Sequence, residues 1–102
     1  MPKTPEDCQS MTDIRSEIDR LDKALVALFR ERFDYIGRAA EIKNLAGLKA
    51  DIPARVTEVQ QNARNNATLA GLDPDFYEDI WSRLVRHSIA HEKSILGETE
   101  GE

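Results

Sequence analysis

The stretch that decides the fold runs from Met11 to Leu45 and reads MTDIRSEIDRLDKALVALFRERFDYIGRAAEIKNL. Its apolar residues recur at alternating steps of four and three, at Ile14, Ile18, Leu21, Leu25 and Leu28. This heptad-like stripe is typical of a long helix that packs along another helix. At ~1.5 Å per residue such a helix is about 50 Å long, whereas a compact chain of this size has a radius of gyration of only ~13 Å. The sequence therefore predicts a dimer in which two long helices cover each other.

Two shorter helices are predicted after the long one. Pro53 suits the first turn of a second helix that ends near Ala70, before Gly71. Asp73 followed by proline is a capped start for a third helix, which runs to about Leu96. Since no segment has the pattern of a strand, we expect an all-α domain over residues 1–102. Residues 1–10 should form an extended polar segment, and the acidic residues 97–102 should be disordered.

Composition limits the classes of partner. The 102 residues carry a net charge of −5, which argues against a nucleic-acid or anionic-membrane surface. The single cysteine, Cys8, cannot form an internal disulfide, and a reducing compartment fits best. Because the sequence contains neither a signal-peptide core nor an apolar run of transmembrane length, we expect a cytoplasmic protein.

Cationic residues interrupt the apolar stripe of the long helix. Arg32 stands where the pattern requires a residue like leucine, and a buried guanidinium needs a partner or a polar cavity. Lys43 lies eleven residues later, within ~20° of the same face and some 16 Å along the axis, so the two side chains could hold one small anion. Arg15 lies ~25 Å from Arg32 on a different face, so it could join only from the partner of an antiparallel dimer. Arg55, at the start of the second helix, could close the cavity.

Ordinary structural roles are the alternative for each of these residues. Arginines on long helices commonly form surface pairs, and Glu31, Asp34 and Glu41 are available as partners. Ser88 and Glu92 lie four residues apart on the third helix and could be solvated edge residues.

Neither a metal site nor a covalent nucleophile is expected. His87 and His91 are four residues apart, but they lack the HExxH pattern and an obvious third ligand. Cys8 lies in a polar segment without a matched base. The sequence therefore predicts no metal and no cofactor.

Six polar positions, taken together, resemble the all-helical chorismate mutases and their relative isochorismate pyruvate lyase. The spacing of seventeen, eleven and twelve residues between the cations, with Ser four residues before Glu, matches that family at Arg15, Arg32, Lys43, Arg55, Ser88 and Glu92. The resemblance extends from about Thr4 to Leu96. The segments KTPEDC, DIRSEIDRLDKALVALFRERFDYI and GLDPDF look particularly like the lyase and lyase-like mutases.

The resemblance implies an intertwined homodimer with two equivalent sites, in which Arg15 comes from the other chain. The substrate would be the dianion chorismate and the product prephenate, formed in a pericyclic reaction that needs no cofactor. Arg15, Arg32 and Arg55 would hold the carboxylates of the substrate. Lys43 and Glu92 would flank its ether oxygen, with Ser88 as a further binding residue.

Two departures from the family pattern matter, one for pH dependence and one for substrate recognition. Glu92 replaces the Gln of many mutases, and it must be protonated to donate a hydrogen bond, so activity should fall as the pH rises. Val56 and Ile52 replace acidic residues that mutases often carry, which is compatible with isochorismate as substrate. Chorismate mutase is the first choice and isochorismate pyruvate lyase, which yields salicylate and pyruvate, is the alternative.

A non-catalytic helical dimerisation module is the alternative from a different class. It predicts that Arg32 and Lys43 are exposed and paired with Glu31 or Glu41.

Overall fold

The computed structural model describes residues 2–98, and over that range it contains helices and no strand. A short 3₁₀ turn, Pro5–Asp7, precedes α1 (Met11–Ala46), α2 (Pro53–Leu69) and α3 (Pro74–Leu96). The predicted all-α class with one long and two shorter helices is confirmed, and each predicted helix end lies within one residue of the observed one. Of residues 97–102, which were predicted to be disordered, Gly97 and Glu98 are described, and residues 99–102 lie outside the described residues. Among those that are described, no helix has both the length and the apolar character needed to cross a membrane.

Local side-chain bonds set the helix starts. The backbone N–H of Asp13 donates to Ser10 Oγ at 3.2 Å, and the Gln9 N–H donates to Asp13 Oδ2 at 3.0 Å. These reciprocal bonds satisfy backbone donors at the start of α1 that have no partner within the helix. At the start of α3, the Asp73 carboxylate accepts from Asp75 N at 3.0 Å, as expected for an aspartate cap before proline.

The chain divides into two units, Met1–Asp34 and Tyr35–Glu102. In the second unit, α2 and α3 pack side by side around a small core that includes Ala63, Ala67 and Val85. Arg64 on α2 joins the two helices through Asp75 and Glu78 on α3, at 2.7 and 2.9 Å. Hydrogen bonds to both carboxylates raise the pKa of the Arg64 guanidinium.

The apolar stripe predicted from the sequence lies in the first unit and remains uncovered. Ile18, Leu21 and Leu25 are each about half exposed, and Leu28 is 61% exposed. Covering leucine and isoleucine side chains lowers the free energy of the protein. This face of α1 therefore has the character of an interface.

Candidate active site

The second unit contains a buried ion pair between two of the predicted site residues. Lys43 lies in the last turn of α1, and its Nζ is 2.8 Å from Oε1 of Glu92 on α3. The side chains are 18% and 5% exposed, respectively. Glutamate is rarely buried to this degree without a partner. The structure thus brings together the two side chains that the family resemblance assigned to the ether oxygen of a substrate.

The Lys43 ammonium, 2.8 Å away, is the ion-pair partner of Glu92 Oε1, and no further hydrogen bond reaches this oxygen within the described residues. Buried polar atoms in folded proteins nearly always have a partner, and the ammonium supplies it here. Because a carboxylate oxygen has two lone pairs, Glu92 Oε1 can accept a further hydrogen bond from a ligand or, when protonated, donate one.

Ser88 lies one turn before Glu92 on α3 and is also buried, with 6% of its surface exposed. Its hydroxyl donates to the backbone carbonyl of Leu84 at 2.8 Å. The alternative that Ser88 and Glu92 are solvated edge residues is wrong, because both lie on the covered face of α3.

The loop between α1 and α2 supplies a second partner for Lys43. The Lys43 ammonium donates to the backbone carbonyl of Ala50 at 2.9 Å, and the Ala50 N–H donates to Glu98 Oε2 at 3.4 Å. Sequence reasoning missed both residues. Alanine carries no chemical signal, and Glu98 fell within the acidic tail that was expected to be disordered.

Arg55 makes a different contact from the one expected. It lies in the first turn of α2, and its guanidinium pairs with Glu58 one turn later on the same helix. Both side chains are 61% exposed, so this surface pair restrains Arg55 weakly. Its role in carboxylate binding stays a prediction.

Arg15 and Arg32 belong to the first unit, where Arg15 is exposed and Arg32 is partly buried. Their roles in binding an anion also stay predictions.

Two acidic residues that could have formed surface pairs with these cations pair with other arginines instead. Asp34 pairs with Arg30 at 3.2 Å, and Glu41 pairs with Arg38 at 2.7 Å. The dimerisation-module hypothesis required an exposed Lys43 paired with Glu31 or Glu41, and for Lys43 that expectation is wrong.

A cleft of about 350 Å³ lies between α2 and α3, and Val56 lines it together with Gln60, Ser82, Val85 and Ile89. Gln60 Nε2 donates to Ser82 Oγ at 3.2 Å. Val56 and Ile52 are both half-buried. Position 56, which often carries an acidic residue in mutases, therefore presents an aliphatic side chain to this cleft.

Comparison with known proteins gives a consistent result. The family model described as "Chorismate mutase type II" matches residues 14–93. The T-protein of Haemophilus influenzae is 36% identical over 87 residues, which cover 85% of this chain and 23% of that protein. The isochorismate pyruvate lyase of Pseudomonas aeruginosa is 35% identical over 101 residues, or 97% of each chain. The chorismate mutase of Methanocaldococcus jannaschii is 28% identical over 92 residues, which cover 90% of this chain and 93% of that one. The chain thus spans less than a quarter of the T-protein's length and nearly all of the lyase.

Proposed function

Because the chain belongs to the chorismate mutase type II family, we propose that it rearranges chorismate to prephenate. The single observation that carries this proposal is the buried contact between Lys43 and Glu92. These are the two positions to which the family resemblance assigns the groups beside the ether oxygen.

The reaction suits a site built from charges alone. One carbon–oxygen bond breaks while one carbon–carbon bond forms within the same molecule, so no group is transferred to the protein. Catalysis then requires that the enolpyruvyl arm be held over the ring and that the charge developing on the ether oxygen be stabilised. Arg15, Arg32 and Arg55 hold the two carboxylates in this proposal.

Lys43 and Glu92 stabilise the breaking bond. A lysine ammonium carries three N–H groups, so its contacts with Ala50 O and Glu92 leave a third for the ether oxygen. Glu92 donates to the same oxygen once it is protonated, while Ser88 contributes to binding beside it.

The active form is a homodimer in this proposal. The half-exposed stripe on α1 supports it, because each leucine or isoleucine that a second copy covers would contribute roughly 1 kcal/mol. An antiparallel partner would bring its own Arg15 to the site, so that each dimer has two sites made from both chains. We further propose a cytoplasmic location, which the single cysteine supports.

Isochorismate pyruvate lyase activity is the second candidate. The 35% identity that extends over 97% of both chains favours it, as do the aliphatic residues Val56 and Ile52. In that reaction a hydrogen shift accompanies the elimination of pyruvate from isochorismate, and salicylate remains.

Incubation of the purified protein with each substrate separates the two candidates. Prephenate from chorismate would establish the mutase, whereas salicylate and pyruvate from isochorismate would establish the lyase. A dianionic transition-state mimic should also raise the melting temperature of either enzyme. Absence of product from both substrates, together with an unchanged melting temperature, would instead identify a non-catalytic dimerisation module.

A further inference from the structure

We propose that Glu98 is a positioning residue for the Lys43 ammonium and acts through the backbone of Ala50. This inference rests on the proposed function, because it takes Lys43 as the cation beside the reacting oxygen.

Ala50 is held from both sides. Its carbonyl accepts from Lys43 Nζ at 2.9 Å, and its N–H donates to Glu98 Oε2 at 3.4 Å. Only 2% of this residue is exposed, so water does not readily replace either partner. The N–H and the C=O of Ala50 belong to two peptide planes that are joined at its Cα, so a displacement of the first plane also moves the second, which carries the contact with Lys43.

The end of α3 places Glu98 where it can make this contact. Gly97 adopts a left-handed conformation with φ of 74°, and the Glu98 N–H donates back to Lys93 O at 2.9 Å. A residue with a Cβ is disfavoured at this φ, so the glycine sets the direction in which the chain leaves the helix. The Glu98 side chain is 20% exposed, and Lys49 lies 3.9 Å from its other oxygen.

The ammonium needs this restraint because a lysine side chain is long and flexible. Four rotatable bonds separate its charge from the backbone, and electrostatic stabilisation is lost when a charge is misplaced by about 1 Å. Ala50 O and Glu92 together fix the position of Nζ. If Ala50 is released by Glu98, one of these two restraints is weakened.

Two substitutions at residue 98 test the proposal. Glu98→Ala should lower kcat about tenfold and leave KM within about twofold, since ground-state binding depends on the arginines. Glu98→Gln should stay within about twofold of the parent, because its amide oxygen still accepts from Ala50 N–H. Lys49→Ala is the matched control and should not change kcat, since Lys49 is 82% exposed and makes a long contact.

Hydrogen exchange of the Ala50 amide gives a second measurement that does not depend on turnover. Exchange should be faster in Glu98→Ala and unchanged in Glu98→Gln and Lys49→Ala. A parent-like kcat in Glu98→Ala would overturn the proposal, and so would a Gln variant as impaired as the Ala variant. If the parent acts on neither chorismate nor isochorismate, the proposed function fails instead, whatever the Ala50 exchange shows.

Discussion

At the scale of single residues, the buried carboxylate of Glu92 depends on the charge of Lys43. Removing one member of a buried ion pair leaves the other uncompensated, which typically costs about 3–5 kcal/mol, whereas replacing both members is often neutral. Lys43→Met should therefore lower the free energy of unfolding by about 3 kcal/mol. Urea denaturation at one protein concentration measures this loss.

The same pair provides its own internal control. Adding Glu92→Leu to Lys43→Met should recover most of the lost stability, because no unpaired charge then remains. Lys23→Met replaces an exposed lysine of α1 and should have little effect. If the stability losses of Lys43→Met alone and of Glu92→Leu alone simply add in the double variant, Lys43 and Glu92 are not coupled.

At the scale of secondary-structure elements, the first turn of α1 should respond to acid. The hydrogen bond from the Gln9 N–H, followed by that from Lys3, lowers the pKa of Asp13 below its usual value. A carboxyl whose pKa is lowered by folding stabilises the fold above its unfolded pKa, and this contribution is lost as the pH falls through the folded value. The Gln9 amide resonance should therefore shift with a midpoint below ~3.9, the ordinary aspartate value. Asp13→Asn should abolish the transition, and a midpoint at or above the ordinary value would contradict the capping bond.

The apolar stripe of α1 should control self-association. Leu21→Lys or Leu25→Lys places a charge on the face that we propose is covered in the dimer, where an unpaired ammonium is strongly unfavourable. Sedimentation equilibrium should show dissociation to monomers in either variant. Ala27→Lys introduces the same charge on the far side of the helix and should leave the dimer intact. Dissociation by all three substitutions, or by none, would argue against this face as the interface.

At the scale of the whole molecule, the proposed site, which is made from two chains, would allow complementation. Arg15→Ala and Lys43→Met should each be nearly inactive alone, because every site then lacks one group. Unfolding and refolding of an equal mixture yields about half hybrid dimers, each with one intact site, so activity should return to about a quarter of the parent's. Arg15→Ala mixed with Arg15→Ala/Lys43→Met is the control and should stay inactive. If the first mixture also stays inactive, Arg15 does not act from the partner chain.

Much of the fold could be read from the sequence because its signals are local. Pro53, Asp73 and Gly97 act on the backbone within one turn of themselves, and all three predicted helices end within one residue of the observed positions. The spacing of Lys43, Ser88 and Glu92 similarly predicted a candidate site through its family resemblance, without any knowledge of packing.

Contacts between distant parts of the chain were decided by the tertiary structure alone. Lys43 and Glu92 are assigned to one site by resemblance, but only the tertiary structure shows that the two side chains, one from the end of α1 and one from α3, form a buried contact. The hydrogen bond from Ala50 to Glu98 joins residues 48 positions apart, and neither residue type predicts it. Periodicity and capping report interactions within a helix turn, whereas burial and long-range hydrogen bonds depend on how the helices pack, which no local pattern specifies.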